Sequence, residues 1–156
     1  MEQKSVYICG PLTELPEEDQ GRVKALYSAL ADVIEGLTGL RAFVPHEHYD
    51  PIKHAHYIPP EIDAAERAQV CTRTSLLLVV VVGPSWGGGI EVEMANKAGV
   101  PAVILCIRER LEARKVSRLL RGNPAVTQII PCSSEEDMIS ELRFELPHLR
   151  YVYSAV

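Results

Sequence analysis

The chain has 156 residues, enough to bury one core without staples, and a single domain over residues 1–156 is expected. Hydrophobic residues make up 47% and charged residues 24%, a globular balance, and no run reaches the ~18 uninterrupted apolar residues of a membrane span. A net charge of −5 with no basic cluster argues against the phosphate-tracking surface that a nucleic acid polymer needs.

Ser5 to Cys9 is strand-like and leaves no room before it for a signal peptide, so a cytoplasmic location is expected. The four cysteines Cys9, Cys71, Cys106 and Cys132 form no C-x-x-C pair and read as buried free thiols. After the opening strand, Glu17 to Gly36 carries Val23, Leu26, Leu30, Val33, Ile34 and Leu37 at helical spacing, with Gly36 or Gly39 as its stop. A weak strand at Arg41 to Val44 leads into Pro45 to Pro60, an irregular stretch holding four prolines and four histidines. Such a stretch is often functional in a compact domain. Pro60 to Arg73 reads as a helix. Leu76 to Val82 is apolar at every position and is predicted to be an interior parallel strand covered on both faces. A helix at Ile90 to Ala98, a strand at Ala102 to Ile107, a weaker strand at Thr127 to Ile130 and a helix at Ser134 to Leu146 complete the alternation. The expected architecture is a doubly wound α/β domain, Rossmann- or flavodoxin-like, with about five mainly parallel strands.

Two turns should meet at the carboxyl edge of that sheet, where ligands of open α/β folds bind. One is Cys9-Gly10-Pro11-Leu12-Thr13. The other is Gly83-Pro84-Ser85-Trp86-Gly87-Gly88-Gly89-Ile90-Glu91, whose three glycines let backbone N–H groups approach a phosphate or sugar hydroxyl at a helix start. It is neither a Walker loop nor a G-x-G-x-x-G fingerprint. Glu91 is expected in the first turn of the following helix, where its anion is favoured. Tyr7 on the neighbouring strand is within reach to donate to it, whereas Glu93 should point elsewhere and be structural.

These residues resemble the nucleoside 2-deoxyribosyltransferase superfamily, which includes 2'-deoxynucleoside 5'-phosphate N-hydrolases. Val6 to Pro11 looks like its opening strand and turn. Pro84 to Glu91 is similar to its P-S-x-G-x-G-x-E signature, and the likeness runs from about residue 5 to residue 122. The resemblance implies that Glu91 attacks C1' of the sugar and that Tyr7 orients it. The contacts it implies for substrate include Gly10, Pro11, Ser85, Trp86, Gly87 and Gly89. A carboxylate nucleophile suits displacement at C1', since it stabilises an oxocarbenium-like state and then traps the glycosyl group.

The departing base needs a proton, which in the family comes from an aspartate on the preceding helix. Counting back from Glu91 places Arg67 there; Glu66 or Asp63 serves if the register slips. Lys115 to Gly122 is similar to the hydrolase branch's stretch that reaches a neighbouring subunit's substrate. This implies that Ser117 reads a 5'-phosphate, with Arg118 or Arg121, in a homodimer or higher oligomer with a shared active site. The turn after Pro11 departs from that branch, being acidic where an arginine is usual.

The pairs His46/His48 and His54/His56 have metal-ligand spacing but no third ligand beside them. No metal or organic cofactor is expected, and a contact with base or phosphate through His46, another loop histidine, Tyr49 or Asp50 is. Trp86 either stacks on the base or packs at a subunit interface, and the apolar tail at residues 151–156 either packs on a partner or completes the core. The expected function is cleavage of the base–sugar bond of a nucleoside 5'-monophosphate through a glycosyl-Glu91 intermediate. Two rivals stand beside it: a deoxyribosyltransferase, and a nucleotide-binding sensor without catalysis, the latter motivated by Arg67.

Overall fold

The structure, a computed structural model, describes residues 2–149; the tail at residues 151–156 lies outside them. Four parallel strands form one sheet in the order β1 (Ser5–Cys9), β2 (Thr74–Val81), β3 (Ala102–Ile107) and β4 (Val126–Cys132). Among the described residues seven helices flank or join them: α1 (Glu17–Thr38), α2 (Pro45–Tyr49), α3 (Pro59–Arg73), α4 (Trp86–Ala98), α5 (Arg108–Glu112), α6 (Arg118–Arg121) and α7 (Glu135–Glu145). None of them is long and apolar enough to cross a membrane.

The expected fifth strand is the one departure in the sheet. Arg41 to Val44 does approach the outer edge of β1, where the Ile8 N–H donates to the Phe43 carbonyl and the Phe43 N–H to the Val6 carbonyl. The pairing ends as a single bridge between Tyr7 and Phe43. Pro45, which has no N–H to extend a ladder, starts α2 two residues later. The stretch from Pro45 to Pro60 is accordingly less irregular than its composition suggests, holding α2 and the start of α3.

Period-2 alternation sorts the strands between two cores. Val6, Ile8, Leu76, Leu78 and Val80 face α1 and α7, whereas Tyr7, Cys9, Leu77, Val79 and Val81 face the side holding Val70 of α3 and Val92, Met94 and Ala95 of α4. Each fully buried aliphatic side chain contributes roughly 1.5–3 kcal/mol, so the helices are held by packing on the sheet more than by intrinsic propensity. α1 buries Val23, Leu26, Leu30, Val33 and Ile34 as its spacing predicts, but Leu37 is exposed. Gly36 lies inside the helix, and the stop is Gly39, at φ 75°, whose N–H closes on the Glu35 carbonyl. Of the cysteines, Cys9, Cys106 and Cys132 are buried, Cys71 is partly so, and all four are free.

The chain leaves β1 toward Phe43 over the α1 face and returns to β2 over the α3 face. A crevice therefore opens between the carboxyl ends of β1 and β2, at the point where the winding reverses. Gly10 lines it because nothing larger fits: a Cβ there would lie 2.4 Å from Tyr27 Oη and 2.7 Å from the Val80 carbonyl. The same Tyr27 hydroxyl donates to the Pro11 carbonyl at 2.6 Å. Gly10→Ala is expected to push Tyr27 off this bond and destabilise the protein by about 1–3 kcal/mol, read as a lowered Tm. An unchanged Tm would contradict so close an approach.

Candidate functional site

The turn after β2 is shaped by its own sequence. Ser85 caps α4, its Oγ accepting from the Gly88 N–H at 3.0 Å. Gly87, Gly88 and Gly89 thus belong to the first turn of α4 instead of leading into it. The expectation for Glu91 changes as a result: it falls in the second turn, beyond the reach of the helix-end field. It is 7% exposed and packs over the sheet. Burial first, and then the negative charge of Glu66, push its carboxyl up to about 8, against the opposing pull of hydrogen bonds from Tyr7 and Cys9. The position holds a proton more readily than an ordinary glutamate, the reverse of the helix-start expectation.

Strand alternation aims Tyr7 at the same point. Its Oη donates to Glu91 Oε1 at 2.5 Å across 84 residues of sequence. Burial and the neighbouring Glu91 hold the phenol well above its usual range, so it remains a donor. Phe43 stacks on the Tyr7 ring at 5.2 Å, and His48 stacks on Phe43 at 4.5 Å. Because the Tyr7 bond favours the anion, Tyr7→Phe is expected to raise the titration midpoint of Glu91 further. Carboxyl 13C NMR checks this, and an unchanged or lowered midpoint would show that the bond is not holding the charge.

Tyr7 is buried beneath a cleft of about 390 Å³ whose lining includes Cys9, Gly10, Glu14, His46, Tyr49, Asp50, His54, Glu66, Ser85, Gly87, Gly88 and Glu91. Of the two α3 carboxyls that could serve as the acid, one lies at the cleft. Glu66 lines the cleft, and burial, then Asp63, push its carboxyl up to about 7. Asp63 does not line it: it forms an exposed ion pair with Arg67 at 2.9 Å, one helical turn apart. The cleft therefore joins two carboxyls with raised midpoints. Such pairs suit one group acting as nucleophile and the other as acid.

The remaining candidates divide. His46 is in the cleft wall, its Nε2 3.5 Å from Ser28 Oγ and its buried Nδ1 without a partner among the described residues, and burial lowers its midpoint. Pro11 is buried and contributes through its carbonyl. Trp86, Gly89 and Ser117 line a second, larger groove of about 1400 Å³ between α4 and the α5–α6 segment. Trp86 there is 83% exposed, so within one chain it does not stack in the Glu91 cleft. Ser117 caps α6, its Oγ accepting from the Leu120 N–H. The grooves share Gly10, Ser85 and Gly88 as a common rim. Glu93 accepts from the side chains of Asn96 and Asn123, away from the cleft. Among the described residues no three His, Cys, Asp or Glu side chains converge as a metal site.

Sequence reasoning overlooked three groups. Tyr27 follows Val23 at i+4 on the apolar stripe of α1, so its burial was readable from the period. Glu14, whose Oε1 accepts from the Trp86 N–H at 2.9 Å, and Lys24, whose Nζ reaches Asp50 at 2.5 Å, carry no sequence signal.

The chain has the fold of a known N-glycosidase. It superimposes on the Clostridium botulinum CMP N-glycosidase BcmB with a TM-score of 0.64 at 16% identity, covering 90% of this chain and 99% of that one. A conserved protein of Enterococcus faecalis matches with a TM-score of 0.59 at 18% identity, over 92% of this chain and 99% of that one. No family model and no curated protein sequence matches.

Proposed function

We propose that the protein is a nucleotide N-glycosidase that hydrolyses the base–sugar bond of a nucleoside 5'-monophosphate. The observation that carries the reading is Glu91 bridged to Tyr7 at 2.5 Å in a cleft that also holds Glu66. Glu91 attacks C1' as the C–N bond breaks, and the departing base takes a proton from Glu66; water then releases the sugar from Glu91, with Glu66 returning as base. Tyr7 holds the attacking carboxylate as a neutral donor, and its hydrogen bond weakens as charge leaves Glu91. Similarity in fold to a protein described as a CMP N-glycosidase supports the class of substrate.

A second copy of the chain completes the substrate site in this reading. Trp86 at 83% and Leu119 at 89% exposure, together with Ile90, leave an apolar surface beside Ser117. The partner's copy of that serine, with Arg118 or Arg121, then meets the 5'-phosphate. A transferase exchanging bases between nucleosides is favoured by one feature, the acidic turn that places Glu14 rather than an arginine at the start of α4. Against the sensor reading, Glu66 and not Arg67 lines the cleft.

The test is base release, read by chromatography, from a panel of ribo- and deoxyribonucleoside 5'-monophosphates and the matching nucleosides. Release confined to monophosphates is the expected result. Release from nucleosides only when an acceptor base is present would replace hydrolysis by transfer. Binding without any release would leave a sensor.

A further inference from the structure

Resting on the reading above, we propose that His54 is a specificity-determining residue whose Nε2–H donates to a hydrogen-bond acceptor on the nucleobase, and that Asp50 is the positioning residue that fixes it. Asp50 is 1% exposed, an unusual place for a carboxylate unless it is fully paired. Its oxygens accept from the Ile52 N–H at 2.8 Å, the Lys53 N–H at 3.0 Å and Lys24 Nζ at 2.5 Å. Burial alone would raise its midpoint. Lys24 and the two amides overcome this and hold it well below the usual carboxylate range. The carboxylate thus anchors a tight turn in the cleft wall to α1.

The turn carries His54 back over Asp50. The His54 N–H donates to the Asp50 carbonyl at 2.8 Å, and the Asp50 N–H donates to His54 Nδ1 at 2.8 Å. A backbone amide can only donate, so Nδ1 must present its lone pair, and the proton of the neutral ring resides on Nε2. His54 lines the same cleft as Glu66 and Glu91, and among the described residues its Nε2 has no protein acceptor. Tyr57 stands 6.4 Å away and edges onto Tyr49 at 5.4 Å. A fixed, unspent donor beside aromatic rings suits a flat heterocycle bearing a ring nitrogen or carbonyl better than it suits a phosphate, which would want cations. Electron density on such an acceptor rises as the C–N bond breaks, so the bond gains strength toward the transition state.

Two experiments test this on the full chain. In 15N-histidine NMR, His54, assigned by its loss in His54→Phe, is expected in the Nε2–H tautomer; the Nδ1–H tautomer would overturn the proposal. In base release, His54→Phe is expected to lower kcat/KM by roughly 10–100-fold on bases that carry the acceptor. On deaza or deoxo analogues lacking it the loss should be under about threefold, and equal losses on both would make His54 merely structural. Asp50→Ala should reproduce the discrimination defect and blur the tautomer signal. Should the wild-type protein release no base at all, the proposed reaction fails separately. The inference is then judged by titrating cytidine and adenosine 5'-monophosphates, with movement of the His54 Nε2 resonance required and its absence overturning the assignment.

Discussion

Glu91→Gln is expected to lower base release by about 10⁴-fold or more, since an amide cannot form the glycosyl ester that splits the reaction into two steps. The same change should stabilise the fold. In the folded protein the Glu91 carboxyl is raised to about 8, above its ordinary unfolded value, so the folded state favours the proton. The stability from that preference is present at acid pH and lost as pH rises through the folded midpoint. Gln keeps the shape, and an amide donor toward Tyr7 Oη or its surroundings, without ever ionising. Thermal unfolding at about pH 9 should therefore show the variant more stable than wild type by on the order of a few kcal/mol, with the gap narrowing below about pH 8 and closed near the ordinary carboxyl value of 4.5. A variant that is inactive and less stable at alkaline pH would point to misfolding instead. Loss of activity together with a gained Tm is the pattern expected of a buried carboxylate kept for chemistry.

The layers of the fold were legible because their signals are strong and local. The unbroken apolar run of β2 demands cover on both faces, and α1 and α7 on one side with α3 and α4 on the other supply it. Arg41 to Val44 has strand composition but too little length before Pro45 to pair beyond one bridge, and composition alone cannot measure that. At the site, Tyr7 and Glu91 were readable as partners because period-2 alternation and the following helix fix both. The environment of Glu91 was not. Its distance from the helix end depends on Ser85, rather than a later glycine, taking the cap, and its raised midpoint depends on burial that no spacing reveals. Choosing Glu66 over Asp63 required the rotation of α3 about its axis, which sets one carboxyl in the cleft and the other in an exposed pair with Arg67. The Lys24–Asp50 contact joins a helix face to a turn 26 residues on (50 less 24), and neither residue type announces it.

Glu66→Gln is expected to reduce base release by about 10²–10⁴-fold and to change the shape of the pH profile. With Glu66 raised to about 7 and Glu91 to about 8, the pair holds two protons in acid, one between these values and none in alkali. Glu91 keeps that single proton more readily than Glu66, so the working form, with the proton on Glu66 and Glu91 ionised, is the minor of the two one-proton arrangements. Wild-type kcat/KM should accordingly be bell-shaped, its limbs belonging to the pair and not to either residue. Glutamine cannot supply the leaving group's proton, so the alkaline limb should vanish. It also removes the negative charge that helps to raise Glu91, so the acid limb should move to lower pH. A substrate whose leaving group departs without a proton, such as a nitrophenyl glycoside of the same sugar, isolates the role in the first turnover, before Glu66 is needed as base: the variant should release its nitrophenolate burst at close to the wild-type rate. An equal loss in that burst would mean that Glu66 shapes the cleft without donating a proton, and the acid would have to be sought elsewhere in its lining.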